Sequence, residues 1–223
     1  MKLQFSKVCI VLYAMAIISC KKQEIRLTPL ASIQITNALV SGSELQFGTY
    51  AATIPSNAYT AYGILAGSQV LKLSSTVAPN PLYYNQTKDF VNGGVYSLFL
   101  TGTPTAVESV FLKEENIPSH TAEVFGARVI NLVTGGVAIS VNLKGSAKGS
   151  FASSLAYKAI SAFKDVSSLA AEGTKTFEFR NAATGDLITL FDVPDYDLPR
   201  FRNITLVFSG MVGSETIVRV NNY

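Results

Sequence analysis

The chain has 223 residues, 48% of them hydrophobic, with 18 Lys and Arg against 15 Asp and Glu and a formal net charge of +3. That is enough apolar sequence for one large or two small cores, and so balanced a charge leaves no electrostatic footprint for nucleic acid. With two cysteines and one histidine in the whole chain, a nitrogen- or sulfur-rich zinc site is excluded and no cofactor is implied.

In chain order, Lys2 and Lys7 form a short basic start, Val8 to Ile18 is almost wholly apolar, and Ser19 stands before Cys20. This is the order of a secretory signal, and the apolar run is too short for a bilayer, which takes about 20 residues. The ending Ile17-Ile18-Ser19-Cys20 resembles the lipobox of bacterial lipoproteins, and Ser19-Cys20-Lys21-Lys22 is similar to lipoproteins of the Bacteroidota. The resemblance implies cleavage before Cys20, lipidation of that cysteine, and a lipid-anchored place in the cell envelope at the outer membrane, on its periplasmic or outer face. Residues 1–19 are then the signal peptide and 20–28 the lipidated cysteine and its tether. A multiply acylated cysteine anchors firmly, because each buried methylene contributes about 0.8 kcal/mol. Cys9 leaves with the leader and Cys20 is used by lipid, so no disulfide, cysteine metal site or thiol nucleophile remains.

Beyond the tether, β-branched and aromatic runs alternate with Gly, Asn, Ser and Pro turns, the pattern of an all-β protein. Strands are predicted at Ser32–Thr36, Val70–Leu73, Val95–Leu100, Val107–Leu112, Ala127–Ile130, Val137–Leu143, Thr174–Phe179, Ile204–Phe208 and Thr216–Val220. Lys175-Thr176-Phe177-Glu178-Phe179 alternates cleanly, as a half-buried antiparallel strand does. Residues 152–171, rich in Ala, Ser and Lys and free of Pro and Gly, suit either a helix or two short strands.

The sequence also repeats itself. Ile33-Gln34-Ile35-Thr36-Asn37 resembles Ala127-Arg128-Val129-Ile130-Asn131, and Tyr62 with Gly67 resembles Phe163 with Gly173. Tyr96 to Gly102 matches Ile204 to Gly210, and Glu108-Ser109-Val110-Phe111 resembles Glu215-Thr216-Ile217-Val218. Four matches in one order predict two tandem immunoglobulin-like antiparallel β-sandwiches, residues 29–118 and 124–223, joined by an exposed linker at 119–123. Gly67 and Gly173 are expected in tight turns entering a strand. The motifs Val129-Ile130-Asn131, Ile35-Thr36-Asn37, Tyr62 with Ala66-Gly67, and the strand ending in Gly102 resemble a domain of unknown function, number 4397, of Bacteroidota lipoproteins. That resemblance implies two copies over nearly the whole mature chain and carries no catalytic or binding residues with it.

Candidate chemistry is sparse. His120, the single histidine, falls in the expected linker and reads as a solvated residue rather than a catalytic base. Asp192, Asp195 and Asp197 cluster near Pro194 and Pro199, either as a plain surface turn or as oxygen ligands for calcium. Tyr50, Tyr59, Tyr83 and Tyr84 concentrate in the first repeat and, if exposed, would offer flat faces to a sugar or a protein; otherwise they are strand residues with their hydroxyls at the rim. The expectation is a non-enzymatic, lipid-anchored envelope protein with a binding or structural role toward an unidentified protein or glycan. The alternative is a glycan-binding accessory lipoprotein at the outer-membrane surface.

Overall fold

A computed structural model describes residues 28–222, so Cys20 and the expected lipobox lie outside the described residues. The first half holds β1 (Leu30–Asn37), β2 (Leu45–Phe47), β3 (Thr53–Ile54), β4 (Ala58–Leu65), β5 (Gly67–Ser75), β6 (Leu82–Phe90), β7 (Val95–Thr103) and β8 (Ala106–Lys113). The second holds β9 (Val124–Thr134), β10 (Ile139–Leu143), β11 (Ala152–Leu155), β12 (Lys164–Ser167), β13 (Lys175–Asn181), β14 (Leu187–Val193), β15 (Asn203–Met211) and β16 (Ser214–Asn222). The region 152–171, open between helix and strands in the sequence, is two short strands and the loop between them, followed by the start of a single 3-10 turn, Ala170–Glu172.

The strands form four sheets, ordered β3-β2-β5-β6 and β4-β1-β7-β8 in the first half, β12-β9-β15-β16 and β11-β10-β13-β14 in the second. The protein is all-β, built as tandem β-sandwiches. In each copy the first strand runs antiparallel to the fourth and parallel to the seventh. An immunoglobulin sandwich instead pairs its first strand with its second, so these copies share its two-layer form but follow an eight-stranded path of their own.

Ladder registers fix the true correspondence of the copies. Asn37 and Asn131 are both fully buried and bond alike. The Asn37 amide donates to the Ser43 and Ile54 carbonyls and accepts from the Leu39 N–H, while Asn131 donates to Val137 and Leu155 and accepts from Val133. Each asparagine therefore ties the end of its strand to the loop that follows, supplying partners that buried polar groups need. Gly67 and Gly173 also correspond, with φ of 99° and 71°. Two other matches slip by one residue. Ile33 pairs with Tyr62 where its counterpart Ala127 pairs with Lys164, so Tyr62 matches Lys164 and not Phe163. Gly102 pairs with Val107 and Gly210 with Glu215, so Glu108 matches Thr216. A one-residue slip turns a side chain to the other face of its sheet: Tyr62 lies in the first core, whereas Phe163 lies under the Arg128 guanidinium, 4.4 Å from its ring centre.

Each sandwich has its own core, one around Ile33, Leu71 and Leu98, the other around Val129, Phe177 and Leu206. A third core lies between them, where the outer faces of β4-β1-β7-β8 and β12-β9-β15-β16 meet through Phe99, Ile130, Leu132, Val207 and Val220. β7, β9 and β15 are consequently buried on both faces. The molecule is a stack of four sheets.

Candidate functional site

The central layer gathers most of the buried polar chemistry. Arg128 on β9 forks onto Glu114 at 2.6 and 2.8 Å, with both side chains only 7% exposed, and Ser97 on β7 donates to the same carboxylate at 2.5 Å. The Arg128 Nε–H donates to Thr205, whose hydroxyl donates to Asn222, whose amide donates to Gln34 on β1. This bonded chain crosses from one sandwich to the other and back. His120 is buried separately, at the joint: its side chain is 3% exposed, Nε2 donates to Asn203 Oδ1 at 2.8 Å, and Nδ1 lies 3.4 Å from the Asp165 carboxylate. The solvated linker histidine expected from the sequence is thus corrected. Asn203, at the start of β15, also donates to the Pro118 carbonyl and ties the joint to the second sandwich.

The four tyrosines do not converge. Tyr50, 36% exposed, stacks on Phe47 at 4.8 Å and donates to the Gly63 carbonyl. Tyr59 packs into the central core and its hydroxyl accepts from the Asn221 N–H of the other sandwich. Tyr83 is half-buried against the first core, and Tyr84 lies within it, where burial pushes its phenol up from the usual value. Nor do the aspartates share a centre. Asp192 accepts from Thr176, Asp195 caps the Tyr196 N–H, and Asp197 pairs with Arg219 at 2.6 Å. Among the described residues no group of three or more His, Cys, Asp or Glu is placed to hold a metal ion.

An opening enters the interior between the two facing sheets of the second sandwich. It is a cavity of about 200 Å³ in the second sandwich, lined by Val133, Val137, Ile139, Ile188, Phe208 and Val212, with Asn181 and Glu215 at its edge. Both polar residues are turned to backbone: Asn181 Oδ1 accepts from Ala183 and Thr184, and Glu215 accepts from Gly213. The surface offered to a guest is therefore apolar. In the first sandwich the same place holds a more open hollow of about 210 Å³, lined by Ser43, Ser75, Val77, Pro79, Pro81 and Tyr83. Leu73 pairs with Tyr84 and Phe179 with Thr189, and in each copy the ladder breaks at the next residue, Tyr83 or Ile188. Two tyrosines thus stand where the second copy has isoleucine and threonine. The signal that could have revealed the cavity was this exchange, at positions outside the strands that make the repeat visible.

The position of the opening follows from strand direction. Ser97, Phe99 and Thr101 of β7 lie against Arg128, Ile130 and Leu132 of β9 through shared contacts. β1, β7, β9 and β15 therefore point the same way. The cavity lies beyond the ends of β9 and β15, at the opposite end of the molecule from Thr28, where the described chain begins.

No family model matches the chain, and no curated protein matches it. Among solved structures it is similar to a carbohydrate-binding module of family CBM26 from Eubacterium rectale, solved in complex with maltoheptaose. That likeness has 12% identity and a TM-score of 0.27, covering 84% of this chain and 95% of the module.

Proposed function

We propose that this chain is a non-enzymatic, lipid-anchored protein of the cell envelope that holds an apolar binding site away from the membrane. The observation that carries the proposal is the apolar cavity of the second sandwich, at the end remote from Thr28, whose counterpart in the first is a more open hollow edged by Ser43, Ser75 and Tyr83. Apolar cavities of roughly 150 Å³ stay dry and accept benzene-sized guests, so the class of ligand is a small alkyl or aryl group, free or carried as a side chain by a protein partner. The basic start, apolar run and Cys20 support the anchor. The use of Glu114 and Arg128 in holding the sandwiches together, and of His120 in tying the joint to the second, supports a role without catalysis. Membership in the family of the domain of unknown function 4397 is part of the same proposal, supported by the matching bonds of Asn37 and Asn131 at the ends of the two motif strands.

A glycan partner is the second reading, and the observation for it is the partly exposed ring of Tyr50. Thermal unfolding with toluene or with maltoheptaose separates the two. The apolar guest should raise the midpoint of the wild type but not of Ile188→Tyr, which puts into the cavity the ring that the first copy carries at the matching position, Tyr83. A rise with the oligosaccharide alone, abolished by Tyr50→Ala, would favour the glycan. Labelled palmitate should mark the wild type and not Cys20→Ala; equal labelling of both would remove the anchor.

A further inference from the structure

The end of the molecule nearest Thr28 carries a loop, residues 194–202, which packs Leu198 against the second core and turns Asp195, Tyr196, Asp197, Arg200, Phe201 and Arg202 toward solvent. Tyr196 is 88% exposed and Phe201 52% exposed. Phe201 has a φ of 58°, the left-handed region that a bulky side chain rarely adopts. Backbone bonds hold it there: the Phe201 N–H donates to Val124 at 2.9 Å, Arg202 N–H to Pro199 at 3.1 Å, and Gly126 N–H to the Arg202 carbonyl at 2.9 Å. Backbone in such a conformation persists where its surroundings enforce it, and it concentrates at functional sites. Here it keeps an aromatic ring out of the core.

Arginines flank that ring. Arg200 lies 3.6 Å from Glu123 in a half-exposed pair, and the Arg202 guanidinium has no hydrogen bond or ion pair among the described residues. Both line an open polar cleft of about 370 Å³ beside Arg219 and Asn221. Aromatic rings with arginine beside them suit the boundary between lipid headgroups and acyl chains, where rings sit at headgroup depth and guanidinium forks onto phosphate.

The sequence outside the structure decides what covers this face. Leu30 and Phe201 lie at the same end, each four residues before the level at which Gln34, Asn222 and Thr205 are bonded together. From Cys20 to Thr28 the chain spans at most about 30 Å however it runs. A molecule held at Cys20 cannot carry this end far from the bilayer. We propose that the 194–202 loop docks on the membrane surface, with Tyr196 and Phe201 in the headgroup layer and Arg200 and Arg202 on lipid phosphates, so that the anchored protein stands upright with its cavity outward. The inference rests on the anchoring at Cys20.

The test uses the absence of tryptophan from the chain. Full chains bearing Tyr196→Trp, or Leu187→Trp at the far end, are purified from membranes and reconstituted with mixed phosphatidylethanolamine and phosphatidylglycerol vesicles carrying brominated acyl chains. Docking predicts a blue-shifted emission at position 196 that bromine quenches, no quenching at 187, and loss of the effect when Phe201→Gly is added, a change the positive φ tolerates. Flotation of the vesicles reads anchoring separately. Protein that floats without quenching at 196 overturns docking and leaves the anchor; protein that does not float overturns both. A blue shift that grows with concentration in detergent, without vesicles, would make a second copy the occupant and overturn the proposal.

Discussion

Asn37 and Asn131 each serve three backbone groups in a fully buried place. Replacing either by alanine strands those groups away from water, and an unmet buried donor or acceptor costs about 1–3 kcal/mol. Asn131→Ala should therefore lower stability by about 2–3 kcal/mol in denaturant unfolding, and Asn131→Asp, which keeps only the accepting side, should restore little of it. Gly67 is a different case. An added Cβ there meets nothing within 4 Å, so only its φ of 99° resists substitution. Gly67→Ala and Gly67→Val should then cost alike, about 1–3 kcal/mol for the strained backbone; a much larger loss for valine would point to crowding that the structure does not contain. At this scale the sequence was legible where a residue had a polar or conformational job, as with the two asparagines and two glycines. It misled at Tyr62 and Glu108, because alternation alone does not fix a register to better than one residue.

The apolar runs of β7, β9 and β15 are continuous rather than alternating, in Leu98-Phe99-Leu100, Val129-Ile130 and Leu206-Val207-Phe208. Such runs mark strands covered on both faces. Alternation elsewhere led instead to an expectation of half-exposed sandwiches and a free joint, and the central core was missed for that reason. The Arg128 and Glu114 pair within this layer sets a clear expectation. Glu114→Ala leaves a buried guanidinium uncompensated and should cost about 3–5 kcal/mol, whereas replacing both partners by apolar residues of similar volume should cost much less. At the rim, Glu108 of β8 reaches Lys158 and Tyr157 of the second sandwich. The Lys158 ammonium, and then the Tyr157 hydroxyl, hold the Glu108 carboxyl below the usual carboxylate range. A lowered folded-state value means stabilisation that is present above the ordinary carboxylate pKa near 4.3 and lost as pH falls through the lowered value. The stability difference between wild type and Glu108→Gln should accordingly be visible near pH 6, begin to shrink below the ordinary carboxylate pKa of about 4.3, and vanish only below the lowered folded-state value; a difference that persists in still stronger acid would mean the pair is not its source.

Across the whole molecule, the two sandwiches follow one path and differ at the end remote from Thr28. Tyr83 and Tyr84 stand in the first where the second has Ile188 and Thr189, and the hollow at that place is edged by serines and prolines in the first but is apolar and more enclosed in the second. The sequence showed both copies but not this difference, because the exchange lies on β6 and β14, whose mixed polar and apolar residues gave no strand signal of their own. The most direct measurement is a titration of methyl-labelled protein with toluene, followed by the methyl resonances of Val137, Ile139, Ile188 and Val212 alongside those of Leu39, Leu45 and Leu100 in the first copy. The account predicts saturable shifts confined to Val137, Ile139, Ile188 and Val212, the positions lining the cavity, and their loss in Ile188→Tyr. Shifts of equal size in both copies, or none at the cavity, would contradict it.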